Sequence, residues 1–125
     1  MAMLTAVTGG LGLILIAVLM RLTVRAFTRG ELPVNSVLGI RTQTTKSSEA
    51  AWQAAHSAAV PGLRVIALVA VVAAILPVIL AAALGLNTES ADRAATWAMG
   101  LGYAVVILLL MRAAFVANSA AKNAR

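Results

Sequence analysis

The sequence predicts an all-α polytopic membrane protein, with three transmembrane helices and a structured cytoplasmic loop that contains a short helix. Three observations carry that prediction. The chain is 62% hydrophobic and only 11% charged, whereas soluble domains carry about a quarter charged residues to cover their surface. The stretches 3–20, 65–86 and 94–111 contain no charged side chain, and each approaches the roughly 20 residues that cross ~30 Å of hydrocarbon. Between the first two lies a long polar segment, where a plain connector would need only a few solvated residues.

The 125 residues read as one membrane domain. Its expected parts are a first span at about 3–22, a polar segment at about 30–60, a second span at about 64–86, a third at about 94–114, and a tail at 115–125. In lipid the backbone must satisfy its own hydrogen bonds, so each span is helical.

The first apolar run has no Lys or Arg before it and no small-residue cleavage pattern after it. It therefore reads as an anchor and not as a cleaved signal. Arg21, Arg25 and Arg29 follow at intervals of one helical turn, which places them on one side of a helix. These arginines suit anionic-lipid contact by snorkelling, or a face that docks an acidic partner. Gly30 is a suitable left-handed residue past the helix end, with Pro33 just beyond.

In the polar segment, Ser47 and Ser48 precede Glu49, and an alanine-rich stretch with Trp52 and His56 follows. Serine at the cap and an acid in the first turn start a helix. Pro61-Gly62 is expected to end that helix before the second span. Ser48, Trp52 and His56 recur every fourth residue and share a face, expected to lie against the membrane surface or the other helices. Upstream, Gly39, Ile40, Arg41 and Thr42 stand among hydroxyl and amide side chains. One arginine in such company can cradle a phosphate or carboxylate. Equally, the same groups can satisfy one another, with Arg41 bonding helix-terminal carbonyls.

In the second span, Pro77 frees the carbonyl of Ala73 and predicts a kink. Gly9, Gly10 and Gly12 in the first span, with Gly100 and Gly102 in the third, allow close backbone approach. Trp97 and Tyr103 suit the outer membrane interface. Every cation except Arg93 lies in the polar segment, beside it or after the third span. By the positive-inside rule the segment and the C-terminus are cytoplasmic and the N-terminus is outside.

The spacing N-x3-G-I-R-T-x2-T-x2-S-x3-W-x3-H, between the first and second spans, resembles the SdpI family of integral membrane proteins. The matching positions are Asn35, Gly39, Ile40, Arg41, Thr42, Thr45, Ser48, Trp52 and His56. This chain has Ser36 and Gln43 where the family pattern often has proline. The resemblance implies a bacterial plasma-membrane immunity protein, in a minimal three-span form, that resists a secreted peptide toxin. It also implies signalling through a cytoplasmic regulator.

Three functions fit the residues. The first is a non-enzymatic membrane protein giving protection from a membrane-active peptide or relaying its presence. The second is a small accessory subunit of a larger membrane complex or transporter, with Gly100 and Gly102 facing the neighbour. The third is an enzyme on lipid phosphate, with His56 as general base and Arg41 as phosphate partner. It is the weakest, since a lone histidine without a carboxylate or metal cluster is more often a structural hydrogen-bonder. With no cysteine, one histidine and four acids, no cofactor and no metal is expected. Nucleic acid is not expected as a partner either, because the cations follow the membrane boundaries. Membrane lipids are.

Overall fold

A computed structural model of the chain describes residues 2–34 and 38–124. The described residues form three helices: α1 (Ala2–Thr28), α2 (Glu49–Leu84) and α3 (Glu89–Ala124). All three are long and apolar enough to cross a membrane.

The distribution of side-chain sizes shows why these helices suit lipid. Many of their inward positions are small: Ala2, Ala6 and Ala17 in α1, Ala55, Ala59, Ala70 and Ala81 in α2, and Ala91, Ala95, Ala117 and Ala121 in α3 are buried, with Leu13, Ile66 and Val106 among the large exceptions. Large residues such as Leu11, Leu15, Leu68, Ile79, Leu101, Leu108 and Phe115 point outward and are exposed. Water would penalise such a surface. In lipid there is no penalty, and small residues inside let helix backbones approach.

Helix α1 ends as the sequence predicts. Gly30 adopts φ +72°, the Glu31 N–H reaches the Ala26 carbonyl at 2.8 Å, and the Gly30 N–H reaches Phe27 at 3.0 Å. This paired arrangement satisfies the last carbonyls of the helix.

The short helix expected ahead of the second span is not a separate element. α2 starts at Glu49 and continues through Pro61-Gly62 into the apolar stretch. Pro61 lacks the N–H that would bond the Ser57 carbonyl, but both residues are exposed. The break therefore costs one hydrogen bond on an outward face, where outside groups can reach the carbonyl, and the helix tolerates it. α2 is also uninterrupted at Pro77, whose side chain is fully buried. The stretch expected as a tail is helical through Ala124.

The chain divides into two compact units. In the first (Met1–Val18 with Ile66–Ile107), Ala2, Ala81, Ala91 and Ala95 form an alanine core. Tyr103 donates its hydroxyl to the Gly9 carbonyl at 2.6 Å. It thus ties α3 to α1, a different role from the interfacial anchor its position suggests. A Cβ at Gly9 would lie 2.6 Å from Met99 Sδ, and one at Gly102 would lie 2.9 Å from the Ala73 Cβ. Gly102 therefore packs inward on α2 and is not available to a neighbouring subunit; Gly100 meets open space. The second unit (Leu19–Val65 with Leu108–Arg125) holds the polar segment.

Candidate functional site

Within the second unit the polar segment is a tied structure. Ser48 starts α2 as its cap, its hydroxyl accepting the Ala51 N–H at 3.0 Å. Its side chain is exposed while Trp52 and His56, one and two turns on, are completely buried. The indole Nε1–H donates to the Leu32 carbonyl at 2.7 Å, pinning the chain just after α1. The Trp52 and His56 rings lie 4.2 Å apart between centroids, tilted by 39°. Phe27 of α1 lies beyond His56, at 6.0 Å.

Both ring nitrogens of His56 are committed. Nε2 accepts the backbone N–H of Ile40 at 2.8 Å. It therefore carries the lone pair, and Nδ1 carries the proton and donates it to the Trp52 carbonyl at 2.9 Å. The apolar stretch of α2 begins at Val65, about two and a half turns later, so His56 lies outside the membrane-spanning part. Burial pushes the imidazole pKa below its ordinary value, and the Nδ1–H bond to Trp52 opposes this only partly. The one lone pair of a ring so engaged is occupied by the Ile40 N–H, so this geometry lends the lipid-phosphate reading no support.

Gly39 fits only as glycine. Its φ is +99°, and a Cβ there would lie 2.6 Å from His56 Nε2 and 3.2 Å from the Trp52 ring. The loop must pass this close for Ile40 to reach the imidazole.

Thr45 and Thr42 complete the tie. Thr45 is fully buried; its hydroxyl accepts the Thr42 N–H at 2.9 Å and donates to the Ile40 carbonyl at 2.7 Å. The Thr42 hydroxyl accepts the Thr45 N–H at 3.2 Å and donates to Asn118 Oδ1 at 2.6 Å. Residues 40–45 are thereby fastened to α2 through His56 and to α3 through Asn118. Arg41 stays exposed at the surface of this cap, and its Nη1 donates to the Val34 carbonyl at 3.0 Å. That acceptor is a loop carbonyl and not a helix-terminal one. Asn35 lies outside the described residues. Arg21, Arg25 and Arg29 are all exposed and take no part in the cap. Beside Gly39 and Ile40 a recess of about 360 Å³ opens, lined by Leu19, Met20, Thr23 and Leu110.

Residues 31–117, which include the polar segment of this cap with Trp52 and His56, match the SdpI/YfhL protein family. The chain belongs to the SdpI family. No curated protein and no solved structure matches it. Within this SdpI-family protein, Gly39, Ile40, Thr42, Thr45, Ser48, Trp52 and His56 each hold a defined place in one folded cap. The spacing of the motif is thus the spacing of a tertiary knot.

Sequence reasoning missed Asn118, one residue past the family match, as well as the Leu32 carbonyl and Phe27. A single asparagine in an alanine-rich helix end carries no periodic signal. A backbone carbonyl has no sequence signature at all.

Proposed function

We propose that this SdpI-family membrane protein is non-enzymatic and protects a bacterial cell from a secreted membrane-active peptide, or relays the peptide's presence through its cytoplasmic cap. One observation carries the reading: the family match spans the segment whose motif residues tie together into a single cap, with Arg41 displayed on its outside. A rigid cap with an exposed guanidinium suits recognition of a partner, whereas a catalytic site would need an available base or nucleophile.

The reading places the chain in the cytoplasmic membrane with the N-terminus outside and the cap and C-terminus inside, following the cation distribution. The exposed arginines Arg21, Arg25 and Arg29 then meet anionic headgroups of the inner leaflet. A second reading, an accessory subunit of a larger membrane complex, draws support from α3. There Gly100 has open space at its Cβ beside exposed Trp97 and Leu101, a surface another helix can pack on.

The test is deletion of the gene followed by challenge with secreted membrane-active peptides from competing cells, with membrane potential followed by dye. Loss of protection that returns with the wild-type gene supports the immunity reading. Equal depolarisation of deleted and wild-type cells, together with stoichiometric co-purification of a larger membrane protein, replaces it with the subunit reading.

A further inference from the structure

A groove of about 340 Å³ runs between α2 and α3 in the second unit, lined by Pro61, Gly62 and Val65 on one side and Leu109, Arg112 and Val116 on the other. It is separate from the cap. Val65 opens the apolar stretch of α2, and Arg112 is the first charged residue after the apolar stretch of α3. The groove therefore straddles the level at which both helices pass from hydrocarbon to headgroups. Its walls are apolar except at Arg112, and no acidic residue lines it. The Arg112 side chain is exposed and makes no hydrogen bond or ion pair among the described residues. Arg64, next to Val65, is a second exposed cation at the same level.

We infer that this groove is a binding site for one anionic glycerophospholipid, its acyl chain lying between Val65 and Leu109 and its phosphate held by Arg112. The charge decides the class. An uncompensated guanidinium beside an apolar channel is complemented by a headgroup of net negative charge, and its planar fork matches phosphate geometry. A zwitterionic lipid brings its own cation and gains less. The position decides for lipid over a soluble anion: Leu108 and Met111, which flank Leu109 and Arg112 on α3, are exposed apolar residues, so the groove opens onto an apolar surface suited to lipid.

Gly62 supplies the means of testing this, because nothing lies within 4 Å of a Cβ built there. Gly62→Leu and, from the opposite wall, Val116→Trp fill the groove without altering any charge. The full chain is placed in nanodiscs of equal phosphatidylglycerol and phosphatidylcholine, released in the gas phase, and weighed with its retained lipids. The wild type is expected to retain phosphatidylglycerol over phosphatidylcholine by at least about fivefold. Gly62→Leu, Val116→Trp and Arg112→Gln should each bring that ratio close to one. Lys122→Gln, which removes a cation from the same helix away from the groove, should leave it unchanged. A cooperative thermal unfolding transition in detergent, like that of the wild type, certifies that each variant is folded. The site is overturned if the wild type shows no preference, if the preference survives either folded groove-filling variant, or if Lys122→Gln abolishes it as Arg112→Gln does.

Discussion

The imidazole of His56 accepts the backbone N–H of Ile40 at 2.8 Å, so this tie holds the cap only while Nε2 is unprotonated. Protonation would set an N–H against an N–H in a site closed to water. Burial lowers the pKa of His56 in the folded cap, while an undocked segment titrates near the ordinary value of about 6.5. The undocked form therefore binds more protons at mildly acid pH. The contribution to docking is complete above about pH 6.5 and declines as pH falls below it. With Trp97→Phe leaving Trp52 as the only tryptophan, its emission should be blue-shifted, resist aqueous iodide at about pH 7.5, and move red with rising quenching at about pH 5. His56→Phe keeps a ring but removes the acceptor. It should weaken docking by roughly 1–3 kcal/mol, the cost of an unsatisfied buried amide, and flatten the pH response. An acid transition of the same size in His56→Phe would show that another group controls it.

Gly39 and Gly100 form a matched pair of glycines with opposite expectations. Gly39→Ala forces a left-handed backbone on a side chain and drives its Cβ into the His56 ring. The backbone term alone is about 1–2 kcal/mol, so the loss should reach at least about 2 kcal/mol. It should also expose Trp52 to iodide. Gly100→Ala sits in a helix with open space around it and should be neutral or stabilising by up to about 1 kcal/mol. Thermal unfolding in detergent separates the two, and equal melting temperatures would refute the proximity argument.

The architecture was legible because lipid imposes a length on any helix that crosses it. Runs such as 65–86 declare themselves by the absence of charge alone. The cap was legible as a spacing: Ser48, Trp52 and His56 were expected to share one packed face, and Trp52 and His56 pack together inside while Ser48 stays exposed as the helix cap. What the residues could not show was which groups they bond. The Thr42 hydroxyl finds its partner 76 positions away, and no local pattern encodes a contact at that distance. Pro61 was misleading because a proline can remove one hydrogen bond without ending a helix: α2 runs on through Pro61, whose freed carbonyl belongs to exposed Ser57, and equally through Pro77, whose freed carbonyl belongs to buried Ala73. Tyr103 shows the same lesson in reverse, since an aromatic near a span boundary suits an interface and yet its hydroxyl turns inward to Gly9.

The Thr42–Asn118 bond should behave as a coupled pair. Thr42→Val removes the hydroxyl with little change of shape, and Asn118→Ala removes its acceptor. Each alone should destabilise the cap, but the double variant should cost less than their sum, with a coupling of about 1 kcal/mol. Additive losses would mean that the 2.6 Å contact contributes nothing to holding residues 40–45 on α3.

The proposed orientation is tested independently of any activity. The chain has no cysteine, so single cysteines at Thr88 and at Gln43 can be read without background. Both residues are exposed. Thr88→Cys should react with an impermeant thiol reagent added to intact cells, and Gln43→Cys only after the membrane is opened. Labelling of Gln43→Cys from outside would invert the topology and move the cap to the external face.

Arg41 is the cap residue whose chemistry distinguishes recognition from simple charge. Its Nη1 holds the Val34 carbonyl at 3.0 Å while the side chain remains exposed. A guanidinium offers donors in a fixed planar fork that can hold several acceptors in a set geometry; an ammonium is a point charge without that geometry. If Arg41 serves only the inside-positive bias, lysine should replace it without loss, because Arg29, Lys46 and Arg64 supply the same charge nearby. If it serves the cap or a partner, lysine should fail. Arg41→Lys is therefore expected to abolish protection in the challenge assay, or binding of the regulator, while membrane level and cysteine-labelling pattern stay unchanged. Arg25→Lys, exposed on α1 where snorkelling needs only a cation, should be close to silent. Full activity in Arg41→Lys would reduce the residue to a topological charge and leave recognition to other parts of the cap.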